Sequence, residues 1–556
     1  MDKGIRENQR PILMCLFPLF ILAGAVEAVI PQSNYVSVLM NHGQEIRGTR
    51  ETLKDGRKID VFRGIPYAEP PTGQRRFKAP VESAGWSGTK YALHEAPRCL
   101  QSITPKPGTN ESEDCLFLDV LTPGVNGSSS SSSYPVMVWI HGGAFLQGGA
   151  YKAYGSSMAA TGVVVVAMNY RLGPFGFLST GDDVMPGNYG MLDQLLALKW
   201  VQKYVHVFGG DPSHVTIAGH SAGSASVSFH VLSPLSVGLF QRAIMMSGFS
   251  LCPWTVERPG TKVSLKEFTT LLGKEVGCTE SSSKEMFICL QNANANAISN
   301  ATFEVQKHKG VQFLASPRVE NTFGFLPKDP LDIFLSGNFS RVDTIRGFAS
   351  GEWPYFIYDP DDDGISRDDF KPDYEKFQGI YAYKNSSYIT NIVSNSYLGN
   401  TSDPIAVRTQ LFDALLDTLF AAPAVMEIEQ SLWGSNSGKH YLYQFSYRAS
   451  DTVTPAWEGV SHYEEIAILQ NRVTDPADRS VALLTESVVS NFVKTGNPTA
   501  TRVENNGEVL QWEPFTSSNP ALLNIDSKAS LQKFPRLDKV PFYKTMLDAL
   551  RETSSG

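Results

Sequence analysis

A serine bracketed by glycines, Gly219-His220-Ser221-Ala222-Gly223, follows the short β-branched run Val215-Thr-Ile-Ala218 and precedes small residues able to open a helix. Strand, G-x-S-x-G and helix in succession form the context of a nucleophile elbow, a turn whose flanking backbones pack too closely for a Cβ. A serine hydroxyl attacks a carbonyl only when a base takes its proton, and the base needs a third group to hold its tautomer. A serine between glycines is equally an ordinary loop, so the reading depends on those partners.

With a strand feeding the elbow, the acid and the histidine belong later in the chain, on loops at the C-terminal ends of strands. Of ten histidines, His230, His308, His440 and His462 follow Ser221. His230 lies on the outgoing helix, His308 in a helical stretch, and His440 begins a strand. His462, in Gly459-Val-Ser-His-Tyr-Glu-Glu465 just before Ile466-Ala-Ile-Leu469, sits in a loop that opens a helix and is the candidate base. For the acid, the strand Asp343 to Phe348 delivers Ser350-Gly-Glu352, which makes Glu352 the candidate. Its rivals Asp359, Asp361, Asp362 and Asp363 lie in a run that reads as solvated. Negative charge developing on a substrate oxygen needs backbone N–H donors. Ala222 supplies one, and His141-Gly-Gly-Ala-Phe145, directly after the apolar strand Val136 to Ile140, offers Gly143 and Ala144.

The elements that must position these groups are short continuous apolar runs, Val136 to Ile140, Val163 to Met168 and Val215 to Ala218, of the kind buried on both faces of a sheet. Between the last two, Met191 to Val205 carries apolar residues at helical spacing, so strands and helices alternate and an α/β fold with a mostly parallel sheet is predicted. Ahead of it, Tyr35 to Arg63 reads as a small antiparallel meander turning at Gly43, Gly48 and Gly56. Lys262 to Asp343 reads as a helical insertion over the sheet. A strand at His440 to Tyr447 and a helix at Val481 to Lys494 return the chain to it. The tract Ser128 to Ser133 reads as an exposed linker between strands.

The chain has 556 residues and a net charge of -8, with no basic run, which argues against nucleic acid or a strongly anionic membrane surface as partner. Lys3, Arg6 and Arg10 precede an apolar run from Ile12 to Val26, read as a secretory signal over residues 1–28. Residues 29–556 are then expected to form one α/β domain, secreted, with no membrane anchor. Removing Cys15 from the six cysteines leaves Cys99, Cys115, Cys252, Cys278 and Cys289, enough for two bridges and a free thiol. Short loops favour Cys99 with Cys115 and Cys278 with Cys289, although other pairings exist. Asn110, Asn126, Asn300, Asn338, Asn385 and Asn400 head glycosylation sequons, which fit the same compartment. Asp359 to Phe370 imitates a calcium loop, but Phe370 stands where a bidentate carboxylate is required, so no metal or other cofactor is expected.

Taken in order, Phe62-Arg-Gly-Ile-Pro-Tyr-Ala-Glu-Pro-Pro71, Glu113-Asp-Cys-Leu-Phe-Leu-Asp119, His141-Gly-Gly-Ala-Phe145, Asn169-Tyr-Arg-Leu-Gly173, Asp193-Gln-Leu-Leu-Ala-Leu-Lys-Trp200, Phe208-Gly-Gly-Asp-Pro212 and the serine motif resemble the type-B carboxylesterase and cholinesterase family of α/β-hydrolases. The resemblance implies a Ser221, Glu352, His462 triad, an oxyanion hole of Gly143, Ala144 and Ala222, and the two short-loop disulfides. It further implies an Arg63–Glu113 ion pair and substrate contacts from Trp254 and Phe145. The implied substrate is a small lipophilic ester. The chain departs from the family pattern at Gly351-Glu352-Trp353, where Asp-Glu-Gly is usual, and at His462-Tyr-Glu-Glu465, where His-Gly-Asp-Glu is usual. Pro105 occupies the place of the cholinesterases' cation-binding tryptophan, which argues against choline esters, and His220 before the serine resembles general carboxylesterases. A secreted serine carboxylesterase is the leading reading. The alternatives are a catalytically silent cholinesterase-like adhesion protein and a slow scavenger of lipophilic esters or organophosphates.

Overall fold

The apolar runs around the elbow become neighbouring strands whose alternate side chains enter opposite cores. The computed structural model describes residues 34–552 apart from 41–42, 102–109, 126–132, 151–154, 262, 312–313, 354–356, 358, 360, 382–385, 435–436 and 470–474. The N-terminal leader, Pro105, most of the serine tract, Asn126 and Asn385 lie outside the described residues.

A 13-stranded sheet is built from β1 (Tyr35–Leu39), β2 (Glu45–Thr52), β3 (Lys58–Pro66), β4 (Thr89–Tyr91), β5 (Phe117–Thr122), β6 (Tyr134–Ile140), β7 (Val164–Met168), β8 (Gly210–His220), β9 (Arg242–Met246), β10 (Asp343–Ala349), β11 (His440–Phe445), β12 (Ala521–Ile525) and β13 (Ser530–Lys533). Their order is β1-β2-β3-β5-β7-β6-β8-β9-β10-β11-β12-β13, with β4 beside β2. From β7 to β12 every pairing is parallel; along the order from β1 to β7 on one side and between β12 and β13 on the other the pairs are antiparallel, while β4 lies parallel to β2. On β6, Val136, Val138 and Ile140 pack into one core with α1 (Tyr189–Tyr204) and α2 (Ala222–Leu232), while Met137 and Trp139 pack into the other with the helix Pro476–Thr495. A parallel sheet carries helices on both faces because its crossovers put them there, and continuous apolar strands follow from that.

Three expectations need correction. Gly48 does not turn the chain; it lies inside β2 opposite Val36, and its missing side chain leaves room for Phe62, whose ring a Cβ would meet at 2.6 Å. Arg63 does not pair with Glu113. A register shift between Phe62 and Ile65 accompanies an Arg63 side chain directed to Glu51, 2.7 Å away. Glu113 instead receives Arg76 at 2.6 Å, whose guanidinium also donates to the carbonyls of Leu290, Gln291 and Ala293, the open C-terminal end of the helix Ser283–Asn292. The acidic run at Asp359 is not wholly solvated either, since the Asp359 side chain is covered and, with Asp362, accepts from Arg408, so a guanidinium stands where a cation would.

The insertion at Leu265–Lys309 has its own apolar cluster, with Phe268, Leu272, Met286 and Ile298 against Phe175 and Tyr189. A second helical segment, Phe370–Leu432, was not assigned from the sequence; it joins the main core through Leu411, Leu415 and Val425.

The structure pairs Cys99 with Cys115 and Cys278 with Cys289, and leaves Cys252 free and buried. Loops of 16 and 11 residues restrict the unfolded chain by about 3 kcal/mol each. Protein beginning after Ala28, denatured without reductant, is expected to react with one equivalent of a thiol reagent and, when native, with almost none; three or more equivalents after denaturation would refute the pairing.

Candidate active site

Ser221 directly follows β8 and occupies the N-cap position of α2 with φ 57° and ψ -125°, a conformation that ordinary side chains avoid. The flanking glycines make it possible: a Cβ on Gly219 would lie 2.5 Å from the Gly223 carbonyl carbon, and one on Gly223 would lie 2.1 Å from the Ile140 carbonyl oxygen. The turn therefore thrusts the serine out at the C-terminal end of the parallel strands, where Ser221 is still only 7% exposed.

His462 and Glu352 arrive from different strands and are laced together before their side chains meet. Gly351 N–H donates to the Val460 carbonyl at 3.0 Å, Val460 N–H donates to Ser350 Oγ at 3.1 Å, and Gly351 forms a bridge with Ser461. A side chain at Gly351 would collide with the Glu458 carbonyl at 1.8 Å. The crossing sets Glu352 beside His462: its Oε2 bonds His462 Nδ1, and its Oε1 accepts from Ala349 N–H at 2.9 Å. His462 Nε2 then faces Ser221 Oγ at 2.8 Å. Hydroxyl, imidazole and a carboxylate 1% exposed stand in one line of hydrogen bonds, the arrangement that can pass a proton from the serine to the base while the acid holds the ring.

The glycine turn after β6 runs alongside the elbow, with a Cβ on Gly142 falling 2.4 Å from the His220 carbonyl. Gly143 and Ala144 adopt positive φ, 114° and 57°. Among the described residues, none accepts a hydrogen bond from the N–H groups of Gly143, Ala144 or Ala222, so all three are available to an oxygen. The loop is fixed from behind by Tyr170, whose hydroxyl donates to the His141 carbonyl at 2.9 Å and whose ring stacks on His141 at 4.4 Å. Burial pushes the His141 imidazole down to about 4, which keeps it neutral there.

Of the neighbours of His462, His220 and Trp353 stood out in the sequence as motif positions, whereas Phe420 carried no clear signal. His220 Nε2 donates to the His462 carbonyl at 2.7 Å, and the two rings lie 4.8 Å apart. Burial, then the nearby His462, push His220 well below the ordinary histidine range. Trp353 and Phe420 approach His462 at 5.2 and 5.4 Å, and both touch Trp254. Phe420 comes from the second helical segment, not from the insertion expected over the site. Trp254 is brought to the site, whereas Phe145 is buried and edge-on to Phe177 at 5.2 Å. His230, His308 and His440 stay elsewhere: His230 bonds Ser236 and Gln194, His308 is exposed, and His440 bonds Thr344. Of the sequon residues, Asn110, Asn300, Asn338 and Asn400 are exposed.

A parallel sheet with helices on both faces, a strained serine elbow at its strand ends, and a later acid and histidine constitute an α/β-hydrolase. Residues 35–543 match the carboxylesterase family, and the chain belongs to that family of ester hydrolases. It is 31% identical to bile salt-activated lipase of Homo sapiens, over 88% of this chain and 66% of the lipase, just under two thirds of that protein. Identity is 33% to a carboxylic ester hydrolase of Bombus ignitus, over 83% of this chain and 85% of that one. It is 29% to neuroligin-3 of Mus musculus, over 97% and 72%.

Behind Glu352, Glu465 is 2% exposed and accepts from the Tyr443 hydroxyl at 3.2 and 3.1 Å. Burial, reinforced by the Glu352 charge, pushes its carboxyl from 4.5 up to about 8. The folded protein therefore keeps a proton that the unfolded chain releases above 4.5, and stability present below that value is lost as pH rises toward 8. Glu465→Gln, a neutral isostere that still accepts from Tyr443, is expected to raise Tm at pH 8 by several degrees and leave it nearly unchanged at pH 4; thermal unfolding across that range checks it, and an equal shift at both pH values would refute the assignment.

Proposed function

We propose that this chain is a secreted serine carboxylesterase whose nucleophile, base and acid are Ser221, His462 and Glu352. The single observation that carries the reading is the 2.8 Å contact between His462 Nε2 and Ser221 Oγ on an imidazole whose other nitrogen is held by Glu352. In the forward step His462 takes the serine proton as Oγ attacks the ester carbonyl. The N–H groups of Gly143, Ala144 and Ala222 receive the negative oxygen, and the imidazolium gives its proton to the departing alcohol. Water activated by the same imidazole then releases the acid and restores the serine. Every group needed is a side chain or backbone amide of this chain, so the reaction requires no cofactor.

The substrate class follows from the surroundings: Trp254, Trp353 and Phe420 give the serine an apolar flank suited to a small lipophilic ester. Pro105 in place of a tryptophan argues against a choline ester. Residues 29–556 act as one domain in this reading, and export rests on the N-terminal leader, on exposed sequon residues and on two disulfides, which persist in oxidising compartments. The likeness to neuroligin-3 raises the silent-protein alternative, but a protein without turnover has no need of a serine, an imidazole and a buried carboxylate in bonding sequence.

Ser221→Ala is expected to remove hydrolysis of p-nitrophenyl acetate and labelling by a fluorophosphonate while Tm stays within a few degrees. Glu352→Gln should lower kcat on the order of 10⁴-fold. Steady-state kinetics with active-site titration checks both, and turnover retained in Ser221→Ala would end the assignment.

A further inference from the structure

Trp353 directly follows the proposed acid and adopts φ 55°, the left-handed region that favours glycine and is a marked outlier for a bulky side chain. Such a conformation persists only where its surroundings over-determine it, and outliers of this kind gather at sites where the strained residue is used. Here the surroundings are on both sides. Glu352 is tied to the Ala349 N–H and to His462, while the indole, 6% exposed, is packed by Phe420 at 4.9 Å edge-on, His462 at 5.2 Å and Trp254 at 5.6 Å. Trp254 is anchored to the opposite wall through its Nε1–H donating to the Leu419 carbonyl at 3.4 Å. It also reaches the back of the nucleophile: a Cβ on Gly248 would lie 2.3 Å from the Ser221 carbonyl oxygen and 3.3 Å from Trp254 Cη2.

Three buried rings thus close one flank of the Ser221 and His462 pair. In acyl transfer the two halves of an ester meet different demands. The alcohol must take its proton from His462 and leave before water can enter, so its side has to open to solvent. The acyl half stays on Ser221 Oγ through the intermediate and can rest against a closed wall. Tyr463, half-exposed and edge-on to His220 at 5.8 Å, marks the more open side, and the ring cluster is the closed one.

We propose that Trp353 is a specificity-determining residue: its indole, forced inward by the left-handed turn after Glu352, fills the acyl flank and restricts the enzyme to esters of short-chain acids. This rests on the reading of Ser221 and His462 as nucleophile and base. A glycine at the same position would allow the same turn without strain and leave the space of an indole empty beside Trp254 and Phe420. A smaller side chain there admits a longer acyl group, and each methylene accommodated or refused in an apolar pocket changes kcat/KM by roughly tenfold or more.

The test compares p-nitrophenyl acetate, butyrate and octanoate on the full-length secreted protein, its Trp353→Gly and Trp353→Phe variants, and Trp353→Leu should the glycine variant fail to fold. Active-site titration with a fluorophosphonate counts competent serines in each. The expected result is an acetate-to-octanoate ratio of kcat/KM that falls at least about tenfold in Trp353→Gly or Trp353→Leu and is restored toward the parent value in Trp353→Phe. A ratio unchanged in a variant that titrates fully would overturn the proposal, as would a parent enzyme that already prefers octanoate. Failure of the underlying reading looks different, since the parent protein would then neither label at Ser221 nor turn over any of the three esters.

Discussion

The fold is organised around one constrained backbone position, Ser221 at φ 57° between a buried parallel strand and a helix buried along its whole length. A residue in that region costs on the order of 1–3 kcal/mol, and only a surround that cannot relax will hold it there. The surround is close: the Gly142 and Gly248 backbones both pass within a Cβ of the elbow, and the glycines on either side of it touch β6 and each other. Ser221 N–H is itself anchored, donating to the Met246 carbonyl at 2.8 Å, so the next parallel strand fixes where the turn begins. Sheet register is therefore part of the site's geometry, because a slip of one residue would carry the serine to the other face.

Buried ion pairs connect this turn to the rest of the site. Arg171 grips Asp193 with two side-chain bonds of 2.7 Å and one backbone bond, which fixes the segment after β7 to α1, while Tyr170 beside it holds the glycine turn at His141. Glu427, fully buried, accepts from Arg346 on β10, from Ser228 on α2 and from Ser250. One carboxylate thus joins the helix that follows Ser221, the strand that leads to Glu352, and the helical segment that carries Phe420. Such charges gain little over an apolar core, yet removing one partner leaves the other unpaired in a low dielectric at a cost of about 3–5 kcal/mol. Their effect is to reject other packings of these pieces.

Much of this was legible in the residues, and the reason is chemical. Ser221, Glu352 and the glycine turn at Gly143 each follow a short apolar run, and His462 lies in a loop just before one, so motif and strand prediction supported each other. Phe420 was not legible, because an aromatic in a long apolar helical stretch looks like core until the tertiary fold brings it to His462. Arg63 and Arg76 differ in no local property that would tell which meets Glu113; a register shift in β3 and the carbonyls at the end of the helix Ser283–Asn292 decide it. Gly48 was misread because the same residue serves turns and close approaches, and only the partner ring separates the two. At Trp353 a departure from the family's glycine could be seen, but its left-handed backbone and inward ring could not.

The departures from the family pattern converge on one side chain. Trp353 and Tyr463 stand where the family pattern has glycine, the first with its buried ring against the imidazole of His462 and the second beside it in the chain with its half-exposed ring edge-on to His220. Rings exclude water, and with less water each electrostatic contact inside the site grows stronger. That benefit holds only if no competing charge is enclosed as well. His220 is kept neutral by burial, and Glu465 keeps its proton up to about 8, so at neutral pH neither adds a charge beside His462 and Glu352. The two neutral groups have separate causes: His220 is desolvated beside the rings of His462 and Tyr463, and Glu465 among Ile244, Met246, Ile345, Leu469 and Val488, so that no second cation beside the base opposes an imidazolium.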